Sequence, residues 1–172
     1  MNHDGWKNAV TGQFGAAIDM LERGIHACPE PLWGDRTRYP EYWYIVFHVL
    51  FWLDCYLSES PDGFAPPAPF GLEEMDPAGV LPPRVYTKEE LLAYLAHGRA
   101  KMQRRLAGLS AEQAARTDPH SRAGLSVGEM QMYSLRHVQH HVGQLYLILR
   151  QVTHSDAPRW VSRGALSTPT GA

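Results

Sequence analysis

The segment 42–53, YWYIVFHVLFWL, constrains the fold more than any other part of the chain. Its twelve residues are apolar on every side of a helix except at His48. A helix of this kind belongs in the centre of a bundle, because each of its faces needs an apolar neighbour. Twelve residues are also too few to cross a bilayer, which takes about 20. The segment therefore predicts a buried central helix and no membrane partner.

Helical periodicity recurs in three other segments, while no part of the chain shows convincing strand alternation. The sequence accordingly predicts an all-α fold, a four-helix bundle, in a single domain that spans 1–172. The predicted helices cover about 5–27, 40–59, 88–109 and 127–152, and an irregular tail covers 153–172. Within this tail, Trp160 is expected to dock onto the bundle.

Each predicted helix has a residue or pair that marks its start. The first start signal is a capping residue, and the second is a proline that suits the first helical position because its missing N–H costs nothing there. The third and fourth are capping boxes. In chain order the signals are Asp4, Pro40, Thr87 with Glu90, and Ser126 with Glu129.

A loop rich in proline and glycine separates the second and third predicted helices at 60–86. A connection this long is unusual in a compact domain. It suits a crossover that lets the third helix run parallel to the second. The sequence also allows a short helical turn around 71–75 within this loop.

Charge and cysteine content limit the classes of function. The 16 Lys and Arg residues nearly balance the 18 Asp and Glu residues, so no basic excess favours binding to nucleic acid. Cys28 and Cys55 form no metal or disulfide motif and are interpreted as packed thiols in a cytoplasmic protein. The basic residues of the third helix are expected to form its solvated face: Arg99, Lys101, Arg104 and Arg105.

Three of the nine histidines lie in the fourth helix, within RHVQHHVGQ. His137 and His141 are one turn apart and share a face, whereas His140 offers an alternative pairing with His137 at three-residue spacing. The buried seam of this helix favours the first pair, because both of its members continue the seam while His140 lies on a flank. The seam residues are Met130, Ser134, His137, His141, Leu145 and Ile148.

His48 is the third candidate ligand, from the central helix. Together with His137 and His141 it would give three imidazoles and an open position, which is typical of a reactive zinc-type site. Nickel, copper and iron also accept such nitrogen donors. The alternative is three hydrogen-bonded core histidines without a metal. Of the other histidines, His97 is a candidate for the bundle interior, and His3 and His120 are expected to be solvated.

The central histidine in an aromatic-rich second helix, followed by HxxxHxGQ in the last helix, resembles the DinB/YfiT-like superfamily of metal-binding four-helix bundles. The resemblance implies an up-down-down-up topology with a long second crossover. It also implies that His48, His137 and His141 bind one divalent metal ion, with zinc or nickel expected first. Gly143 and Gln144 match the GQ of the motif, and Gln144 is a candidate to hydrogen-bond near the ligands.

Characterised members of that superfamily include metal-dependent S-transferases that use low-molecular-weight thiols, and a maleylpyruvate isomerase. The resemblance therefore implies a thiol S-transferase that acts on a small electrophile. The alternative is a non-catalytic metal-binding protein for storage, sensing or dimer assembly. Arg36, Arg38 and Arg136 are candidates to bind the carboxylates of a thiol cofactor, and a homodimer is expected.

Overall fold

The computed structural model describes residues 2–154 and 157–164, and within them every regular element is helical. The described residues contain no strand, only an isolated bridge between Thr117 and Ser126, so the all-α prediction is confirmed. The α-helices are α1 (His3–Ala27), α2 (Glu30–Trp33), α3 (Tyr42–Tyr56), α4 (Lys88–Gly108), α5 (Ala111–Ala115) and α6 (Val127–Thr153). One turn of 3₁₀ helix, Glu73–Met75, lies in the long loop, where a helical turn was predicted.

The four long helices, α1, α3, α4 and α6, contact one another in a ring. Both α1 and α3 pack against α4 and against α6. These helices correspond to the four predicted from periodicity, while α2 and α5 are short additions. The up-down-down-up order and the single domain over 1–172 stay predictions. Of the predicted tail, 155–156 and 165–172 lie outside the described residues.

Two helices begin where the capping boxes place them, and two do not. Ser126 accepts from the backbone N–H of Glu129 at the start of α6, and the equivalent pair starts α4. The cap of α1 is Asn2 rather than Asp4, because the Asn2 carboxamide accepts from the backbone N–H of Gly5 at 2.9 Å. Asp4 lies instead in the first turn, where its charge favours the helix dipole.

The second start signal was also wrong, and the central helix is shorter than predicted. Pro40 precedes α3, which begins at Tyr42 after the cap residue Glu41. At the other end the backbone N–H of Ser58 donates to the carbonyl of Cys55 at 2.9 Å. This contact closes the helix three residues before the predicted end at 59.

The interior of the bundle is built around α3, as the sequence predicts. Most of its side chains are buried, among them Trp43, Phe47 and Phe51. One stripe at four-residue spacing is only half-buried and consists of Tyr44, His48, Trp52 and Tyr56. The central helix therefore has one aromatic face that is not sealed by its neighbours, and His48 lies on it. No helix in the described residues is both long and apolar enough to cross a membrane.

The basic side chains of α4 do not form a solvated face, contrary to prediction. Arg99 forms ion pairs with Asp19 and Glu22 of α1. Lys101 forms an ion pair with Asp54 of α3, whose side chain is 1% exposed. These pairs tie α4 to both of its neighbours, and periodicity could not reveal them because the acids lie on other helices. Of the four predicted residues, Arg104 is fully exposed while Arg105 is half-buried.

The described tail contacts α1 through its backbone and not through the predicted anchor. Trp160 is 69% exposed, so its predicted docking role is wrong. The backbone N–H of Gly164 donates instead to the carbonyl of Gly12 at 2.8 Å. A Cβ on Gly164 would lie 2.4 Å from the backbone of Gly15, so only glycine permits this approach.

Replacing Lys101 by Met tests the α3–α4 ion pair. The substitution leaves the buried carboxylate of Asp54 without its cation, so we expect a loss of about 3 kcal/mol in the free energy of unfolding. Urea unfolding followed by circular dichroism measures this loss. The matched control, Arg104→Met on the exposed face of α4, is expected to change stability by less than about 0.5 kcal/mol. Equal losses in both variants would contradict the structural role of the pair.

Candidate metal centre

Three histidines converge between α3 and α6, which pack against each other. His48 comes from α3, and His137 and His141 come from adjacent turns of α6. One ring nitrogen from each lies within 4.8 Å of the others, and this is the single such group found in the described residues. The predicted seam is buried at Met130, Ser134 and Leu145. His137, His141 and Ile148 are half-buried at its edge, because the core-facing stripe of α6 passes instead through residues such as Val138 and Val142.

The far nitrogens of two rings are held by oxygen acceptors. His48 Nδ1 lies 2.6 Å from Glu74 Oε2, and His141 Nδ1 lies 2.7 Å from Gln144 Oε1. Both oxygens only accept, so each Nδ1 carries the proton. Nε2 of His48 and Nε2 of His141 therefore carry a lone pair and no proton, and partners of this kind orient the histidine ligands of metal sites.

His137 has no complete set of partners among the described residues. Its Nε2 lies 3.3 Å from Nε2 of His48, and its Nδ1 is buried without a hydrogen bond. In a tetrahedral site with metal–nitrogen distances of about 2.0–2.1 Å, neighbouring ligand nitrogens lie about 3.3 Å apart. The His48–His137 spacing and the three-imidazole donor set fit a divalent transition-metal ion. Nδ1 of His137 is satisfied by no described protein group.

The environment keeps the rings of His137 and His141 neutral. Burial, followed by the proximity of His141 and His48, lowers the pKa of His137 to about 3. Burial likewise lowers the pKa of His141. At neutral pH both imidazoles therefore have a lone pair available, which is the form that binds a metal.

Glu74 is the residue that sequence analysis missed at this site. Burial acts to raise the pKa of its carboxyl group, but hydrogen bonds from His48, Tyr44 and Trp52 outweigh burial and lower the pKa. The carboxylate is thus ionised beside the histidines. The sequence did offer one indication of a role for Glu74: it lies in a long loop with a predicted helical turn, and such loops often carry function.

The other predicted polar residues of this region divide into two groups. Gln144 contacts the site as expected, because its Oε1 accepts from His141. Its amide N–H also lies 3.2 Å from His140 Nε2, which keeps that ring on the exposed flank of α6. Asp54, by contrast, takes part in contacts with α4, since it accepts from Tyr94 and Lys101.

Three histidine predictions were wrong. His97 is exposed on α4 and lies 3.3 Å from Asp54, so it does not line the interior. His3, expected in solvent, contacts the carbonyl of Leu109 at 2.8 Å through Nε2. His120 is buried, with Nδ1 held by Asp118 and Nε2 near Ser58. In each case the partner is distant in sequence or depends on a loop conformation, so local pattern could not reveal it.

A cavity of about 790 Å³ is bordered by Glu74, the partner of His48, although none of the three histidines lines it. Trp52 and Tyr56 from α3 and Tyr133 from α6 form aromatic parts of its wall, and Glu74 borders it. The ring of Tyr56 lies 6.0 Å from that of His137 and 5.5 Å from that of Tyr133. Aromatic side chains, Tyr56 among them, therefore lie between the cavity and the triad.

The sequence profile of the DinB superfamily matches residues 9–145, a range that contains all three histidines. The chain belongs to the DinB superfamily. No curated protein matches it significantly. As a DinB-superfamily protein, the chain combines the expected helical fold with a histidine triad that could hold a metal ion.

Removing single imidazoles tests which histidines bind metal. We expect His137→Ala and His141→Ala to abolish stoichiometric binding, because each removes one of three donors. We expect His140→Ala, the matched control on the flank, to retain it. Elemental analysis of protein purified without a polyhistidine tag measures the metal content. Equal losses from all three variants would mean that the assigned pair is wrong.

Proposed function

We propose that this DinB-superfamily protein binds one divalent metal ion, zinc or nickel, through His48, His137 and His141, and acts as a metal-dependent thiol S-transferase. The observation that carries the proposal is the convergence of three ring nitrogens within 4.8 Å. Glu74 and Gln144 support it, because they hold two of the rings with Nε2 free. Three imidazoles leave a fourth position for a small ligand, as in catalytic zinc sites.

The metal ion, when bound, would lower the pKa of a thiol so that a nucleophilic thiolate is available at neutral pH. The protein's own contribution is to orient neutral donors and to limit access of water. The triad is accessible from one side, since the side chain of His48 is 28% exposed. A small thiol and its reaction partner can thus reach the site without unfolding of the bundle.

The adjoining cavity supports a small electrophile as the second substrate. Its volume of about 790 Å³ lies in the range of small-molecule sites, and aromatic walls suit an apolar body. In the transfer, the thiol sulfur forms a bond to the electrophilic carbon, the leaving group departs with its electron pair, and the thiol proton passes to solvent.

Arginines that could bind the carboxylate of a thiol differ in whether they already pair with an acidic side chain of the protein. Arg36 lies 3.5 Å from Glu41, which pairs with it. Arg136 is exposed and lines a smaller cleft beside His137. Arg122 borders the large cavity and forms no ion pair with a described residue. Arg136 and Arg122 are therefore the better-placed candidates.

We further infer an up-down-down-up bundle that forms a homodimer in the cytoplasm and does not bind nucleic acid. The near balance of charge, −2 overall, supports the last point. Exposed apolar side chains on α6, among them Met132 and Leu147, support a dimer surface.

A panel of thiols and electrophiles tests the catalytic proposal. We expect consumption of an electrophile, followed by absorbance, only when the metal and a thiol are both present. His140→Ala should retain turnover and His141→Ala should lose it. Metal-bound protein without turnover on the whole panel, and a cobalt-substituted site without exchangeable water, would contradict catalysis and favour the storage, sensing or assembly alternative.

A further inference from the structure

The crossover loop contributes a buried carboxylate to the histidine cluster. The Glu74 side chain, in the 3₁₀ turn, is 4% exposed. Its Oε2 accepts from His48 Nδ1 at 2.6 Å and from Trp52 Nε1 at 2.9 Å. The two donors are one turn apart on the half-buried stripe of α3. Two successive residues of this stripe are thus bound to a single side chain from the loop.

The packing of the loop fixes where Glu74 lies. Phe70, four residues earlier, is buried and stacks on Tyr94 of α4 with ring centroids 4.4 Å apart. The same ring lies 6.0 Å from that of Phe47 on α3. The loop is therefore anchored in the core just before the 3₁₀ turn, so the contact of Glu74 with α3 follows from the fold and not from chance placement of a solvated side chain.

The charge of Glu74 is not compensated by a basic side chain. Among the described residues its sole ion-pair partner is His48, which is cationic only when doubly protonated. Its second oxygen, Oε1, is buried without a hydrogen bond. A buried carboxylate without a permanent cation is costly. A divalent ion on the far side of the His48 ring would supply the missing positive charge.

The contact with Glu74 also selects the chemical form of His48. Because a carboxylate only accepts, Nδ1 of His48 carries the proton and Nε2 has the free lone pair. Nε2 lies 3.3 Å from Nε2 of His137, so the free lone pair is on the side of the triad. Without the carboxylate, the half-exposed ring could change tautomer or rotate, and the triad would lose a fixed donor.

We propose that Glu74 is a positioning residue of the metal centre: it holds His48 in the Nδ1–H tautomer with Nε2 towards the triad, and its negative charge increases the affinity of the site for a cation. This inference rests on the proposed metal site. It makes the crossover loop part of the centre, which thus has contributions from α3, α6 and the loop between α3 and α4.

Glu74→Ala and Glu74→Gln test the inference in the full chain. We expect Glu74→Ala to weaken metal binding about 10- to 100-fold, the effect typical of losing such a partner. Glu74→Gln retains an acceptor oxygen but loses the charge, so its affinity should lie between those of the wild type and Glu74→Ala. Glu73→Ala, a carboxylate deletion in the same turn, is the matched control and should leave affinity unchanged. Competition with a chromophoric zinc chelator measures the affinities.

Nitrogen NMR of the histidine rings in the metal-free protein is a second measurement, because it reports the tautomer of His48. If Glu74 only stabilised the fold, replacing it would not change this tautomer. We expect the wild type and Glu73→Ala to show His48 with the proton on Nδ1, and Glu74→Ala to lose this preference. Glu74→Gln, nearly isosteric, keeps the test available if Glu74→Ala does not fold.

Two outcomes would overturn the inference. The first is unchanged affinity and an unchanged His48 tautomer in Glu74→Ala. The second is complete loss of binding in Glu74→Ala with an altered cobalt spectrum in Glu74→Gln, because Glu74 would then be a ligand itself. Absence of metal binding in the wild type would instead overturn the proposed function, and the metal-free tautomer measurement would still report on the Glu74–His48 contact.

Discussion

The packing of α3 against α6 with three imidazoles between them is the interaction on which the rest of the structure depends. Buried polar groups need partners, because an unpaired one costs free energy that apolar packing must offset. Here His48 and His141 find oxygen acceptors on their Nδ1 atoms, while His137 retains a buried nitrogen without one among the described residues. Protein acceptors thus orient two of the three rings, and the Nε2 atoms of His48 and His137 face each other at 3.3 Å, where the proposed metal ion would bind.

The surrounding structure keeps this arrangement in place. The hydrogen bond to Glu74 holds the ring of His48, and the turn-by-turn spacing on α6 fixes His137 relative to His141. Ion pairs from α4, such as Lys101 with Asp54, hold α3 from its opposite side. A site built on helices in this way has better-defined geometry than one built on loops alone, and the single loop contribution, Glu74, is itself anchored through Phe70.

Local sequence pattern predicted the four long helices and selected the histidines that the structure brings together, but it could not predict features that depend on distant contacts. Capping boxes at Thr87 and Ser126 identified two helix starts because a cap involves residues only three apart. The seam of α6 separated His137 and His141 from His140 because helical geometry fixes which residues share a face. Glu74 lay beyond this reasoning, because its position depends on the path of the whole crossover loop. The prediction for Trp160 was wrong for a related reason. Its burial was inferred only from its being a large aromatic residue, and the path of the tail decides whether such a side chain meets the bundle.

The most direct test of whether His48, His137 and His141 bind one metal ion is X-ray absorption at the zinc edge. The sample is tag-free protein loaded with one zinc ion, without added thiol. We expect three imidazole nitrogens at about 2.0–2.1 Å from the zinc ion and one further light-atom ligand. A shell with cysteine sulfur at about 2.3 Å, or with fewer than three imidazoles, would contradict it.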